Sequence, residues 1–126
     1  MIRGSLLPYE EETFYLSGPM TGLPEYNYPK FERTTKILRS DGYKVLSPHE
    51  NPPYTGGGDE HQKWLYYMDL CKTQVEQSTA ILLMVGWPNS DGAVKELQWS
   101  INLGHGVFYY YEGSPYTLVP MDGKQR

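Results

Sequence analysis

Apolar and polar positions along this chain alternate in blocks that predict strands and helices in turn. The clearest block spans residues 81–104 and begins with five consecutive apolar residues. Such a run is typical of a parallel strand that is covered on both faces. A polar turn with Gly and Pro follows, and Ser90 or Asp91 can then cap a helix that Gly104 ends. The apolar positions of that helix are Ala93, Val94, Leu97, Ile101 and Leu103.

Other blocks predict the remaining elements. Because short joints connect strand, helix and strand, a right-handed crossover and parallel pairing are expected. We therefore predict an α/β domain over residues 1–126, with a four- or five-stranded parallel sheet, strand order 2-1-3-4 and helices on both faces. Further strands are expected at 13–17, 43–46 and 107–111, a possible short one at 116–119, and helices at 29–40 and 61–77.

Three segments have no regular pattern. Residues 1–12 are predicted to be an N-terminal arm, and residues 112–126 a polar C-terminal tail. The loop at 47–60 is rich in Pro and Gly and follows the second strand. Its length and composition suit either a lid over a site or a simple connector, and these alternatives stay open.

Composition narrows the classes of function. The chain has 126 residues, of which 39% are hydrophobic, as expected of one folded domain. A net charge of −4 argues against a protein that binds nucleic acid polymers non-specifically, although not against binding of a small anion. Neither a membrane-spanning run nor a signal-peptide pattern is visible. The single cysteine, Cys71, excludes an internal disulfide and is compatible with a cytoplasmic location.

The histidines do not predict a metal site. His49, His61 and His105 lack the spacing of metal ligands and have no paired Cys. Cys71 itself is expected to be a small buried apolar residue. We therefore expect no metal.

The start of the helix after the third strand combines an anion site with a carboxylate. Backbone N–H groups near Gly92 and the helix dipole favour an anion, and Ser90 can donate a hydrogen bond to phosphate. Glu96 lies about one to two turns further on. A carboxylate there can attack the anomeric carbon of a sugar. Alternatively, Glu96 only complements the helix dipole. Likewise, Gly18 either allows close approach of a ligand or forms an ordinary turn.

Taken together, three stretches resemble the nucleoside 2-deoxyribosyltransferase-like superfamily, and more closely its small DUF4406 branch, which phages and prophages often encode. They are YLSGPMTG at 15–22, Asp69, and GWPNSDGA at 86–93 followed by Glu96. The resemblance covers about residues 13–111. It implies a flavodoxin-like, Rossmann-type domain, often a homodimer, that uses a glutamate nucleophile and no cofactor. That nucleophile falls on Glu96.

The resemblance also implies roles for other residues. Asp69 matches the helix acid near the sugar or base, and Tyr15 the aromatic residue at the end of the first strand. Gly18 matches the glycine of the phosphate site, with Pro19 and Met20 beside it. Trp87 either stacks on a base or covers the end of the sheet, and both interpretations stay open.

The residues six and four positions before Glu96 indicate whether the substrate carries a phosphate. Related transferases tend to have an aspartate six residues before the nucleophile, whereas the 2′-deoxynucleoside 5′-phosphate N-hydrolases have serine there and glycine two residues later. Ser90 and Gly92 follow the hydrolase pattern, and a hydroxyl and an N–H attract phosphate. Asp91 either turns inward and weakens phosphate binding or caps the helix.

This sequence departs from the family pattern at two places. Ser78 and Thr79 stand where the branch usually has an aspartate, and residues 20–22 lack the arginine that the hydrolases often carry. Arg33 or a residue of a partner subunit are the alternatives for that missing cation.

The leading hypothesis is therefore an enzyme that cleaves, or transfers across, the N-glycosidic bond of a (deoxy)nucleoside 5′-monophosphate. It would act in the cytoplasm of a bacterial or phage-infected cell, as a homo-oligomer, without membrane or nucleic acid polymer. The first alternative is a nucleotide-binding module that sequesters a nucleotide signal without turnover. The second is a structural domain with a vestigial pocket. The base, the sugar, and hydrolysis versus transfer stay open.

Overall fold

A computed structural model describes residues 7–121. Its strands are β1 (Thr13–Ser17), β2 (Lys44–Leu46), β3 (Ala80–Leu83), β4 (Gly106–Tyr111) and β5 (Thr117–Pro120). Its helices are α1 (Tyr28–Ser40), α2 (Glu60–Gln77) and α3 (Asp91–Asn102). Each of them lies within a few residues of a predicted element. No helix in this part of the chain has both the length and the hydropathy to cross a membrane.

The sheet confirms the predicted α/β class and the strand order. The five strands lie in the order β2-β1-β3-β4-β5. The first four are parallel, but β5 pairs antiparallel with β4. A fully parallel five-stranded sheet is therefore wrong for the last strand. Only residues 112–116 separate β4 from β5, and so short a connection cannot form the crossover that a parallel neighbour needs.

Side chains on β1 alternate between the two faces of the sheet, as the two-residue period of a strand requires. Phe14 and Leu16 pack in one buried cluster with Phe31 and Leu38 of α1. Tyr15 lies on the opposite face, in a second cluster that includes Val75 of α2 and Leu97 of α3. Helices therefore cover both faces, and the residues of β1 that point toward α2 and α3 are Tyr15 and Ser17.

The buried face of α3 includes only two of the apolar positions noted in the sequence, Ala93 and Leu97. Val94, Ile101 and Leu103 are 38%, 54% and 50% exposed, and Leu103 lies just beyond the end of the helix. The buried positions are Ala93, Glu96, Leu97 and Ser100. A glutamate thus occupies the centre of the face that packs on the sheet.

The described parts of the N-terminal arm and of the 47–60 loop contact the rest of the domain. Residues 1–6 of the predicted arm and 122–126 of the predicted tail lie outside the described residues. Within the arm, Tyr9 packs its ring edge-on against Phe108, with 4.7 Å between ring centroids. In the loop, Glu50 accepts two hydrogen bonds from Arg39 of α1, at 2.7 and 2.8 Å. Of the predicted loop 47–60, Glu60 is the first residue of α2 and lines the pocket described below, and residues 47–59 are not among the described lining residues, so the choice between lid and connector stays open.

Candidate functional site

A pocket of about 480 Å³ lies beside the carboxyl end of β1, between the turn that follows this strand and helices α2 and α3. This is the edge at which open parallel sheets bind ligands. Seven of the predicted site residues line it: Gly18, Pro19, Met20, Ser90, Asp91, Gly92 and Glu96. The structure therefore brings the two predicted motifs, after β1 and at the start of α3, into one cavity.

Glu96 is the buried carboxylate of this pocket, with only 5% of the residue exposed. The Tyr15 hydroxyl donates a hydrogen bond to its Oε2 at 2.8 Å, and the Ser17 hydroxyl donates to its Oε1 at 2.6 Å. Both donors come from the same face of β1, because they are two residues apart. Each carboxylate oxygen is therefore held in place by its own donor.

Burial dominates the titration of this group. Desolvation raises the pKa of Glu96 from 4.5 to about 7, while the hydrogen bonds from Ser17 and Tyr15 lower it to a smaller extent. Burial and the neighbouring Glu96 raise the pKa of Tyr15 well above 10, so its hydroxyl stays a donor. At neutral pH a large fraction of Glu96 is consequently ionised and poorly solvated, as nucleophiles and general bases in enzymes often are.

The first turn of α3 leaves backbone donors available. The Ser90 side chain caps the helix, since its Oγ accepts a hydrogen bond from the N–H of Ala93 at 3.2 Å. The N–H of Val94 donates to the Ser90 carbonyl at 3.0 Å. Among the described residues, the N–H groups of Asp91 and Gly92 have no acceptor. Both residues line the pocket, so an anion there would meet two free donors and the positive end of the helix dipole.

Ser90, rather than Asp91, is the capping residue. Asp91 is the first residue of α3, and it is exposed at the rim of the pocket. The sequence allowed either residue to cap the helix, and the Asp91 carboxylate does not do so.

Gly18 and Gly92, the two glycines of the predicted site, differ in whether the structure has room for a side chain. A Cβ on Gly18 would lie 3.0 Å from the Cβ of buried Met84, so a side chain there would require Met84 to shift. A Cβ on Gly92 would lie 3.5 Å from the Met68 sulfur, which is an ordinary contact. Gly92 is thus not required by packing, and because it lines the pocket, its lack of a side chain leaves more of the pocket open.

Three predicted site residues are not among the described lining residues. Tyr15 is completely buried and contacts Glu96 instead. The pocket-facing positions of α2 include Lys63, Tyr67 and Cys71, which follow the helical repeat, whereas Asp69 is exposed. The expected position of Asp69 in the site is thereby corrected for this single chain. Trp87 is absent from the described pocket lining and packs toward Tyr109, with 6.3 Å between ring centroids. It covers the end of the sheet.

The sequence did not predict several lining residues, nor Ser17, which donates a hydrogen bond to Glu96 but is not among the described lining residues. Ser17 could have been found from the two-residue repeat of β1, since Tyr15 had been singled out. The residues of α2 could have been found from the spacing of three and four that places them on one face. The additional lining residues are Thr21, Tyr26, Tyr28, Glu60, Lys63, Trp64, Tyr67, Met68, Cys71, Asn89 and Ala93.

Metal ligation is not visible in the described part of the chain. Over residues 7–121, no group of three or more His, Cys, Asp or Glu side chains is arranged to hold a metal ion.

Residues 12–109 match a family described as a domain of unknown function, DUF4406. The chain belongs to the DUF4406 family. This DUF4406 protein also shares its fold with the solved structure of a 2-deoxyribosyltransferase from the psychrotolerant bacterium Bacillus psychrosaccharolyticus. The two are 23% identical, with a TM-score of 0.60 over 77% of this chain and 70% of that one. No protein with a curated description matches the chain.

Proposed function

We propose that this DUF4406 protein cleaves, or transfers across, the N-glycosidic bond of a (deoxy)nucleoside 5′-monophosphate, with Glu96 as the nucleophile. One observation carries the proposal: a buried carboxylate, held by two hydroxyls, lies in the same pocket as the open N-terminus of α3. The name of the structurally similar enzyme, a 2-deoxyribosyltransferase, is consistent with this chemistry.

In the proposed reaction, an ionised oxygen of Glu96 attacks C1′ of the sugar. The C1′–N bond breaks, its electron pair moves onto the base, and the base takes up a proton. The sugar is then esterified to Glu96. Water, or the nitrogen of a second base, attacks C1′ in turn and releases the carboxylate, while the attacking group loses a proton. The hydrogen bonds from Tyr15 and Ser17 hold Glu96 in the attacking orientation throughout.

The phosphate of the substrate is assigned to the start of α3. The free N–H groups of Asp91 and Gly92 and the hydroxyl proton of Ser90 supply hydrogen-bond donors, and the helix dipole supplies partial positive charge. Asp69, on the exposed side of α2, has no part in this single-chain site. The homo-oligomer expected from the family resemblance stays a prediction.

Replacing Gly92 with alanine is expected to weaken binding of the monophosphate by about tenfold, the equivalent of one charge-assisted hydrogen bond. The added methyl group would stand 3.5 Å from the Met68 sulfur and takes up room in the pocket that Gly92 lines. The melting temperature should be unchanged or slightly raised, because alanine favours helix over glycine. Titration calorimetry with a monophosphate measures the change. Gly57→Ala, which adds a methyl group in open space on a loop, is the control. Unchanged affinity in Gly92→Ala would contradict the phosphate assignment.

Replacing Ser17 with alanine is expected to move the acidic limb of the kcat/KM profile to higher pH. In the wild type this limb should rise as pH passes about 7, since the ionised form of Glu96 is the nucleophile. The Ser17 hydrogen bond lowers the pKa of Glu96, so its loss raises that pKa further. Ser100→Ala is a matched control, because this buried serine of α3 has no hydrogen-bond partner among the described residues. Identical pH profiles for Ser17→Ala and wild type would show that the Ser17 hydrogen bond does not lower the pKa that controls the reaction.

The proposed function is tested by chromatography of reaction mixtures. The protein is incubated with the common nucleoside and 2′-deoxynucleoside 5′-monophosphates, and with the matching nucleosides, each with and without a second free base. Free base released from a monophosphate without acceptor supports hydrolysis and identifies the base. Exchange that requires the acceptor supports transfer. Turnover of nucleosides alone would overturn the assignment to monophosphates. Retention of an unchanged nucleotide would favour the binding module.

A further inference from the structure

We propose that Lys63 binds the anionic group of the substrate and so determines the preference for a monophosphate over a nucleoside. This inference rests on the proposed function and adds to it a residue outside the two motifs. Lys63 lies on α2 and lines the same pocket as the start of α3.

The charge balance of the pocket requires such a residue. Its described lining contains three carboxylic acids, Glu60, Asp91 and Glu96, and one basic side chain, Lys63. A phosphate monoester carries about −1.5 to −2 charges near pH 7. Two backbone N–H groups and a helix dipole offer only partial charge, so a full positive charge is needed to offset the acids. Arg33, the alternative considered from the sequence, is exposed on α1 and is not among the described lining residues.

Lys63 is held by a tyrosine rather than by a carboxylate. Its Nζ donates a hydrogen bond to the Tyr26 hydroxyl at 2.9 Å and lies 5.0 Å from the centre of the Tyr26 ring. Within residues 7–121 it forms no salt bridge. The hydrogen bond from Lys63 to Tyr26 raises the pKa of Lys63, so the ammonium group stays charged.

The segment that carries Tyr26 is a short turn, Pro24–Asn27, with an unusual backbone. Glu25, Tyr26 and Asn27 have φ angles of 54°, 54° and 62°, in the left-handed region that few residues other than glycine adopt. The Asn27 side chain ties the turn to the Pro19 carbonyl at 3.0 Å. This fixed geometry holds the Tyr26 ring beside Lys63. The ammonium group has three donors, of which Tyr26 uses one, so it can bind an anion without leaving Tyr26.

Equilibrium binding separates this role from a structural one. All variants carry Glu96→Gln, which prevents turnover, and are titrated with the four common 2′-deoxynucleoside 5′-monophosphates and with the corresponding nucleosides. Adding Lys63→Gln is expected to weaken monophosphate binding by about tenfold to a hundredfold, the range for a hydrogen bond to a charged group, and nucleoside binding by less than about twofold. Lys63→Arg should restore most of the monophosphate affinity.

Two further variants provide the controls. Tyr26→Phe removes the hydroxyl that Lys63 contacts but leaves the charge, so the loss of monophosphate affinity should be several-fold smaller than that caused by Lys63→Gln, although Tyr26 also lines the pocket. If the pair only fastened the turn to α2, Tyr26→Phe and Lys63→Gln would have equal effects, and the proposal would be overturned. Lys95→Gln removes the same charge from an exposed position on α3, next to Glu96 but outside the pocket lining, and should change neither affinity.

The outcomes also separate this proposal from the proposed function. If the wild type turns over monophosphates but Lys63→Gln binds them as tightly as its parent, the role of Lys63 is refuted and the proposed function stands. If no nucleotide is turned over but Lys63→Gln selectively weakens binding of monophosphates, the role of Lys63 stands and the proposed function is refuted. Absence of monophosphate binding by the parent itself would also overturn the role of Lys63.

Discussion

Replacement of Glu96 with glutamine is expected to reduce base release by at least about a thousandfold, because losses of this size or larger follow removal of a catalytic nucleophile. The amide has almost the same shape as the carboxylate, and its oxygen and nitrogen can still pair with the hydroxyls of Tyr15 and Ser17. An amide, however, cannot form the glycosyl ester. The fold should therefore be retained while the chemistry is lost.

Initial rates of base release, measured by chromatography under saturating monophosphate, test this result. Circular dichroism and thermal unfolding of the same samples establish that the variant is folded. Glu76→Gln, an exposed glutamate at the end of α2, is the matched control and should retain full activity. A Glu96→Gln protein that is folded and has near-normal rates would exclude Glu96 as the nucleophile.

The same replacement is expected to stabilise the folded protein at alkaline pH. The pKa of Glu96 is raised from 4.5 to about 7 by burial, so the folded protein binds its proton more tightly than the unfolded chain does. The stability contributed by the protonated carboxyl is fully present below pH 4.5 and is lost as pH rises through about 7. Glutamine does not titrate. The unfolding free energy of Glu96→Gln minus that of the wild type should therefore increase by roughly 3 kcal/mol across this interval.

Urea unfolding of both proteins at a series of pH values between 4 and 8.5 measures this difference. Other carboxylates contribute equally to both proteins and cancel; among them is Glu50, whose pKa is lowered by its hydrogen bonds to Arg39. Glu76→Gln should give a curve parallel to that of the wild type. If the curve for Glu96→Gln is parallel as well, Glu96 has an ordinary pKa and the burial argument fails.

Local patterns predicted most of the fold because the patterns and the structure have the same physical cause. The apolar run before Gly86 is buried from Ile81 to Met84, largely within the parallel strand β3, although Val85 is exposed. Pro29 lies in the first turn of α1, as its fixed φ favours. The direction of β5 could not be read from its own residues, since pairing direction depends on the length of the connection. The exposure of Val94 and Ile101 was missed because helical spacing alone does not distinguish the face that meets the sheet.

Only part of the site was predicted, because local patterns locate some of its residues and tertiary packing determines the others. Gly18, Ser90 and Glu96 were found because turns and helix starts at the ends of parallel strands are recognisable from sequence. The burial of Glu96 against two hydroxyls depends on pairing between segments 79 and 81 residues apart, which no local pattern contains. The contribution of α2, including Lys63, depends on which side of this helix faces α3. That orientation is set by tertiary packing, and it also moved Asp69 out of the pocket.

The outer strands of the sheet have a consequence for how this protein behaves at high concentration. β2 is only three residues long and begins with the exposed Lys44. β5, at the opposite edge, ends at Pro120, which has no N–H to donate. Short length, charge and proline each disfavour the addition of a strand from a neighbouring molecule. The described edges therefore resist aggregation through β-pairing between neighbouring molecules.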